Sequence, residues 1–229
     1  MRFDGLDCVV TGGTGALGTA VAARLLAAGA RVHVPWILES ELERFPLRAN
    51  VALSKVDLQS EADVGEYYRS LPGLWASVHV AGGFSMSPIA ETSGQEFERL
   101  FRLNATTAFL CCREAVRAMR RSGRAGGRIV NVGARPAVRP VGGMIAYSVS
   151  KSAVTALTES LAEEVKGEGI LVNAVLPSIM DTPANRGAMP AADHASWPKA
   201  SDVAEAIAFL ASRENALTSG ALVPVFGRG

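Results

Sequence analysis

The sequence has little of what staples small proteins or holds metals. Its 229 residues include three cysteines and three histidines. Cys8, Cys111 and Cys112 are too few for a disulfide framework, and none has the paired spacing of a zinc site. The adjacent pair Cys111-Cys112 lies on a helical stretch and reads as core packing. His33, His79 and His194 lie far apart and form no metal motif. Neither charge sign prevails, since 23 Lys+Arg against 22 Asp+Glu leave +1. That balance argues against electrostatic nucleic-acid binding. The basic run Arg120, Arg121, Arg124 and Arg128 reads as a solvated turn before a strand. Long uncharged apolar runs are missing, which argues against a membrane span. Asp4 and Asp7 interrupt the stretch that a secretory signal would need. The expectation is a soluble, cytoplasmic protein without nucleic-acid or membrane partners.

What is present is an ordinary globular balance, 48% hydrophobic and 20% charged, at a length that suits one domain. Short β-branched runs alternate with helical stretches. Strands are expected at Leu6–Val10, Arg31–Val34, Val51–Val56, Trp75–Val80, Arg128–Val132, Ile170–Leu176 and Ala221–Phe226. Helices are expected at Ala16–Ala28, Glu39–Arg44, from Ser60 to about Leu71, from Ser93 past Asn104 towards Arg121, at about Ala146–Lys166 and at Ser201–Ser212. Ser60-Glu-Ala-Asp63 and Ser93-Gly-Gln-Glu96 resemble capping boxes. The alternation predicts an α/β fold: a doubly wound, Rossmann-type parallel sheet of seven strands with helices on both faces. Ser178–Lys199 is a long irregular segment, and such segments in compact domains are usually functional lids.

Thr11-Gly-Gly-Thr-Gly-Ala-Leu-Gly18 directly follows the first strand and opens the first helix. In that context Gly12 permits a tight turn, Gly15 and Ala16 let backbone approach a pyrophosphate, and Gly18 allows close packing of the helix. Free N–H groups at the helix start would then hold phosphate. A plain connector would show the same glycines. Tyr147 and Lys151 stand one turn apart on a predicted helix. A phenol near pKa ~10 is a poor acid at neutral pH, and a neighbouring ammonium lowers that value. The pair therefore suits protonation of a carbonyl or imine as hydride arrives.

Together these motifs resemble the short-chain dehydrogenase/reductase family over essentially the whole chain. The glycine turn has that family's spacing, with Ala16 in place of the usual glycine. Asp57-Leu58 matches the position used on the adenine, and Ala81-Gly82 the end of an Asn-Asn-Ala-Gly motif from which His79 and Val80 depart. Asn104 sits where the family has a helix-kinking, water-holding asparagine. Asn173–Thr182 matches the segment bordering the nicotinamide, with Ser178 replacing a glycine. The resemblance implies NAD(H) or NADP(H) bound by Thr11, Gly12, Gly15, Ala16, Leu17, Gly18, Trp36, Asp57, Leu58, Ala81, Gly82, Lys151, Pro177, Met180 and Thr182. It implies Tyr147 as proton donor, Lys151 lowering its pKa and holding the nicotinamide ribose, and Asn104 supporting a proton relay. Thr182 would bond the carboxamide or a phosphate. No metal is implied.

The family serine that bonds the substrate carbonyl falls at Ala134, and Ser148 on the tyrosine helix faces elsewhere. Dihydropteridine reductases also lack that serine. The chain resembles them at Val80-Ala-Gly-Gly-Phe84, at Gly143–Tyr147 and along the lid from Val175 through Trp197. The implied substrate is a quinonoid dihydropteridine, with Phe84, Ala134 and Trp197 as substrate residues. A ketone or 3-oxoacyl thioester is the alternative. A non-catalytic NAD(P)-binding protein is the rival from another class. Val34-Pro-Trp36 carries neither an acidic nor a basic residue to read the cofactor's 2′ position. Glu39 and Glu41 could reach a ribose or could be solvated, and the balance leans to NAD(H). Val154, Leu157, Leu161 and Val165 form an apolar stripe. It reads either as core packing or, by resemblance, as the interface of a homodimer or homotetramer.

Overall fold

Alternation of side chains along buried strands divides the interior into two apolar layers, one on each face of the sheet. In the computed structural model, which describes residues 1–228, the strands are β1 (Asp7–Thr11), β2 (Arg31–Trp36), β3 (Ala52–Lys55), β4 (Ala76–His79), β5 (Gly127–Val132), β6 (Ile170–Pro177) and β7 (Leu222–Val225). All seven join one parallel sheet in the order β3-β2-β1-β4-β5-β6-β7. Cys8, Val10, Val32, Val34, Val78 and Val130 face α1 (Ala16–Ala27), α2 (Glu39–Glu43) and α8 (Ala200–Ala211). Val9, Ile129 and Val172 face α3 (Glu61–Ser70), α5 (Thr107–Arg121) and α6 (Ile145–Val165). Two further helices are α4 (Gly94–Phe101), packed on α6, and the short α7 (Pro183–Ala188). The chain runs outward from β1 to β3 and then crosses over to β4. That reversal opens a crevice at the carboxyl ends of the strands, where α/β folds bind ligands.

Most predicted elements recur with ends moved by a residue or two. Both serines cap their helices, Ser60 Oγ accepting from Asp63 N at 3.3 Å and Ser93 Oγ from Glu96 N at 3.1 Å, but among the described residues neither has the return bond of a full capping box. The departures have physical causes. The second strand does not stop at Val34 but continues through Pro35 to Trp36. Beyond His33 it pairs with β3 only, so no β1 carbonyl needs the proline's missing N–H. The segment Ser178–Lys199 is not wholly irregular. Thr182 caps α7, its Oγ1 accepting from Asn185 N at 3.2 Å, with Pro183 in the first turn, and His194–Ser196 form a 3₁₀ turn. Arg128 is not solvated but buried, with its guanidinium over the Trp75 ring and donating to the carbonyls of Ser212 and Asn215. Half of the stripe on α6 belongs to the chain's own core. Val154 and Val165 are fully buried, and Leu157 and Leu161 pack against the second apolar layer. Among the described residues no helix is long and apolar enough to cross a membrane.

Candidate active site

The crevice is a cleft of about 660 Å³ that runs from the glycine turn to the start of α6. At its first end, Gly12 holds φ +64°, a left-handed backbone that favours glycine, and a Cβ there would come within 2.7 Å of Ala81 N. A Cβ on Gly18 would strike the Gly12 carbonyl, so this glycine serves the turn itself rather than packing of helix on sheet. Thr11 Oγ1 accepts from Ala81 N at 3.2 Å and ties β1 to the end of β4. Gly15 stands at the N-cap of α1, which has no side-chain cap and no acidic residue in its first turn. Its free N–H groups and positive dipole end therefore face the cleft, an arrangement suited to a phosphate.

The second end gathers around α6. Lys151 is buried, with Nζ donating to Val132 O at 2.8 Å, and desolvation lowers its ammonium to about 8. Burial pushes the Tyr147 phenol up to about 12. The expected lowering of the phenol by the ammonium is thus absent here. Desolvation dominates, the Lys151 cation is turned to a carbonyl, and Phe84 covers the tyrosine ring edge-on with centroids 5.0 Å apart. At neutral pH the tyrosine keeps its proton and the lysine its charge.

Asn104 lies in a π-helical turn, Arg102–Thr106, between α4 and α5, where the family resemblance implied a kink. Its Oδ1 accepts from Gly83 N at 2.9 Å, while Nδ2 donates to Gly83 O and to Ser150 Oγ, each at 3.0 Å. Ser150 Oγ donates in turn to Tyr147 O at 2.8 Å. The amide therefore clamps the Gly82-Gly83-Phe84 loop to the tyrosine helix, and Asn104 does not itself line the cleft. A Cβ on Gly82 would collide with Asn104 Oδ1, so this clamp requires glycine there.

The cleft brings together Gly12, Gly15, Ala16, Leu17, Gly18, Trp36, Asp57, Leu58, Ala81, Gly82, Phe84, Ala134, Tyr147, Lys151, Pro177 and Met180. Thr11, Asn104, Thr182 and Trp197 stand outside its lining. Thr11 and Thr182 act as a strand tie and a helix cap, and Trp197 packs on the His194 ring at 4.7 Å. Ala134 lines the cleft at the position of the expected serine. Ser148 offers no substitute, because its hydroxyl is buried away from the cleft without a hydrogen-bond partner among the described residues. Sequence reasoning missed Thr14, Gly83, Leu103 and Thr107 as lining residues. It also missed Ser150, whose only signal was its place three residues after the tyrosine. His79, a departure from the family motif, pairs across strands with Asn131. Its Nδ1 donates to Asn131 Oδ1 at 2.8 Å, and burial lowers the imidazole to about 4, so the ring is neutral.

The family model for short chain dehydrogenase matches residues 8–192. The chain belongs to the short-chain dehydrogenase/reductase family. It is 32% identical to a 4-formylbenzenesulfonate dehydrogenase of Comamonas testosteroni, over 99% of this chain and 98% of that protein. It is 29% identical to a short-chain type dehydrogenase/reductase of Picea abies, over 97% of this chain and 92% of that protein. A double mutant of a Serratia marcescens short-chain dehydrogenase/reductase superposes with a TM-score of 0.89 at 26% identity, covering 100% of this chain and 99% of that one. Members of this family are oxidoreductases that bind NAD(H) or NADP(H). The glycine turn, the uncapped helix start and the buried Lys151 fit such a cofactor.

Proposed function

We propose that the protein passes hydride between a nicotinamide cofactor and a small acceptor, with Tyr147 as the proton donor. The observation that carries this is one continuous cleft joining the uncapped glycine turn to Tyr147 and Lys151. The cofactor, when bound, supplies or accepts the hydride. Tyr147 holds a proton at Oη and releases it to the acceptor, and the Lys151 ammonium would steady the phenolate left behind once it turns from Val132 O. Lys151 would also hold the nicotinamide ribose, Pro177 and Met180 would border the nicotinamide, and Thr182, beyond the cleft lining, would bond its carboxamide. Asn104 positions the Phe84 loop and supports proton return. The reading includes a cytoplasmic location and a homodimer or homotetramer. Val154 and Val165 of the stripe on α6 are buried in the core, so the area for association comes from the half-buried Leu157 and Leu161 and the exposed Phe97, Phe101, Phe109, Ile145 and Val149.

Ala134 narrows the acceptor. Without a hydroxyl to polarise a carbonyl, the site suits a substrate that takes hydride with little help. A quinonoid dihydropteridine is such a substrate, planar and charge-delocalised, and the exposed Phe84 ring offers it a stacking surface. The lid's likeness to dihydropteridine reductases supports the same substrate. A carbonyl substrate is the second reading, favoured by the name of the Comamonas relative, a 4-formylbenzenesulfonate dehydrogenase. The test is oxidation of NADH and NADPH with quinonoid dihydropterin beside a panel of ketones and aldehydes. Turnover of the pterin above all carbonyls is expected. Binding of cofactor without turnover of any acceptor would overturn the reading.

A further inference from the structure

We infer that Glu41 is the residue that selects the cofactor, accepting from the adenosine ribose hydroxyls and rejecting a 2′-phosphate. The inference rests on the oxidoreductase reading above and assigns its cofactor to NAD(H). The end of β2, where a ribose reader is expected, carries Trp36, which can neither accept from a hydroxyl nor offer a positive charge to a phosphate. The fold supplies the missing acceptor five residues on, from α2. Glu41 lines the cleft beside Trp36, Ile37 and Leu38. Its Oε2 accepts from Thr14 Oγ1 at 2.6 Å, and Thr14 sits in the glycine turn and lines the same cleft. The carboxylate is therefore held at the adenosine end, between the phosphate cradle and Trp36. Glu39, its neighbour on α2, is outside the lining and pairs with Lys55 at 3.5 Å.

The charges around this point agree. Among the described residues, Lys151 at the far end is the cation that lines the cleft, and no arginine does. The adenosine end presents Glu41 and Asp57. Lys55, whose Nζ lies 5.3 Å from the Trp36 ring centroid, stands outside the lining. A ribose diol can take over the hydrogen bond that Thr14 now gives to Glu41. A 2′-phosphate brings only acceptors and a like charge to the same carboxylate.

The experiment is calorimetric titration of the full chain with NADH and with NADPH, repeated on Glu41→Gln and Glu41→Lys. Glu41 is exposed on a short helix, so both variants keep the fold. The wild type is expected to bind NADH more tightly by about tenfold or more, the weight of one charge-assisted hydrogen bond. Glu41→Gln is expected to narrow the ratio to about threefold, and Glu41→Lys to reverse it. A wild type that binds both cofactors equally would overturn the assignment while leaving the oxidoreductase reading intact. So would a Glu41→Gln variant that keeps the wild-type ratio. Binding of neither cofactor would overturn both.

Discussion

The two ends of the cleft are made of different material. The glycine-turn end is main chain: the left-handed Gly12, the Gly18 that no side chain can replace, and an uncapped helix start. The α6 end is side chain: Tyr147, Lys151, Phe84 and the methyl of Ala134. A main-chain site binds what all its ligands share, a pyrophosphate, and tolerates few substitutions. A side-chain site can exchange one group without disturbing the fold. Ala134 shows this, since its extended backbone at φ −162° and ψ 155° suits serine equally well. The family is therefore written at the first end and the substrate at the second.

Separating the two functions should be possible by mutation. Tyr147→Phe removes the acid and is expected to lower kcat by about 10²–10⁴-fold with either class of acceptor. Its NADH affinity, read by calorimetry, should stay within about twofold of wild type. An equal loss of binding and turnover would mean that the two ends are not separable. Gly12→Val attacks the other end. It forces a β-branched residue into a left-handed turn against Ala81, at a cost on the order of 1–3 kcal/mol in stability. Its NADH affinity should fall by about a hundredfold, and unchanged binding would remove the turn from the site.

The same contrast decides what the sequence made legible. Glycine spacing between a strand and a helix is a local signal, and it located the cradle. The Tyr147–Lys151 pair is one helical turn and was equally visible. Contacts between distant segments were not. Thr14 meets Glu41 only because β2 lies beside β1, and His79 meets Asn131 only through the β4–β5 register. The expected second strand stopped at Val34, one residue before Pro35, and sequence does not show that β2 lacks its inner partner there. Thr182-Pro183, a cap followed by a first-turn proline, was a readable helix start inside the supposed loop. The Tyr147 pKa depends on burial, which spacing does not report.

Lys151 gives a smaller effect that links the two ends. Burial holds its ammonium near 8, so the cation is present below that pH and lost above it. If the ammonium holds the nicotinamide ribose, NADH affinity should be flat below about pH 8. It should then weaken towards about tenfold per pH unit as the group deprotonates. Calorimetry across pH 6–10 reads this, and Lys151→Met should abolish the break. A break that survives in the variant would assign it to another group.

The central claim is that the α6 end works without a hydroxyl at position 134. Its most direct test is kcat/KM of wild type and Ala134→Ser with quinonoid dihydropterin and with a ketone. The wild type should turn over the pterin, and the added serine should change that value by no more than about threefold. Ketone reduction should rise by tens-fold in the variant, since such donors are worth roughly 3–4 kcal/mol. A wild type that reduces the ketone well, ignores the pterin and gains nothing from Ala134→Ser would contradict the account.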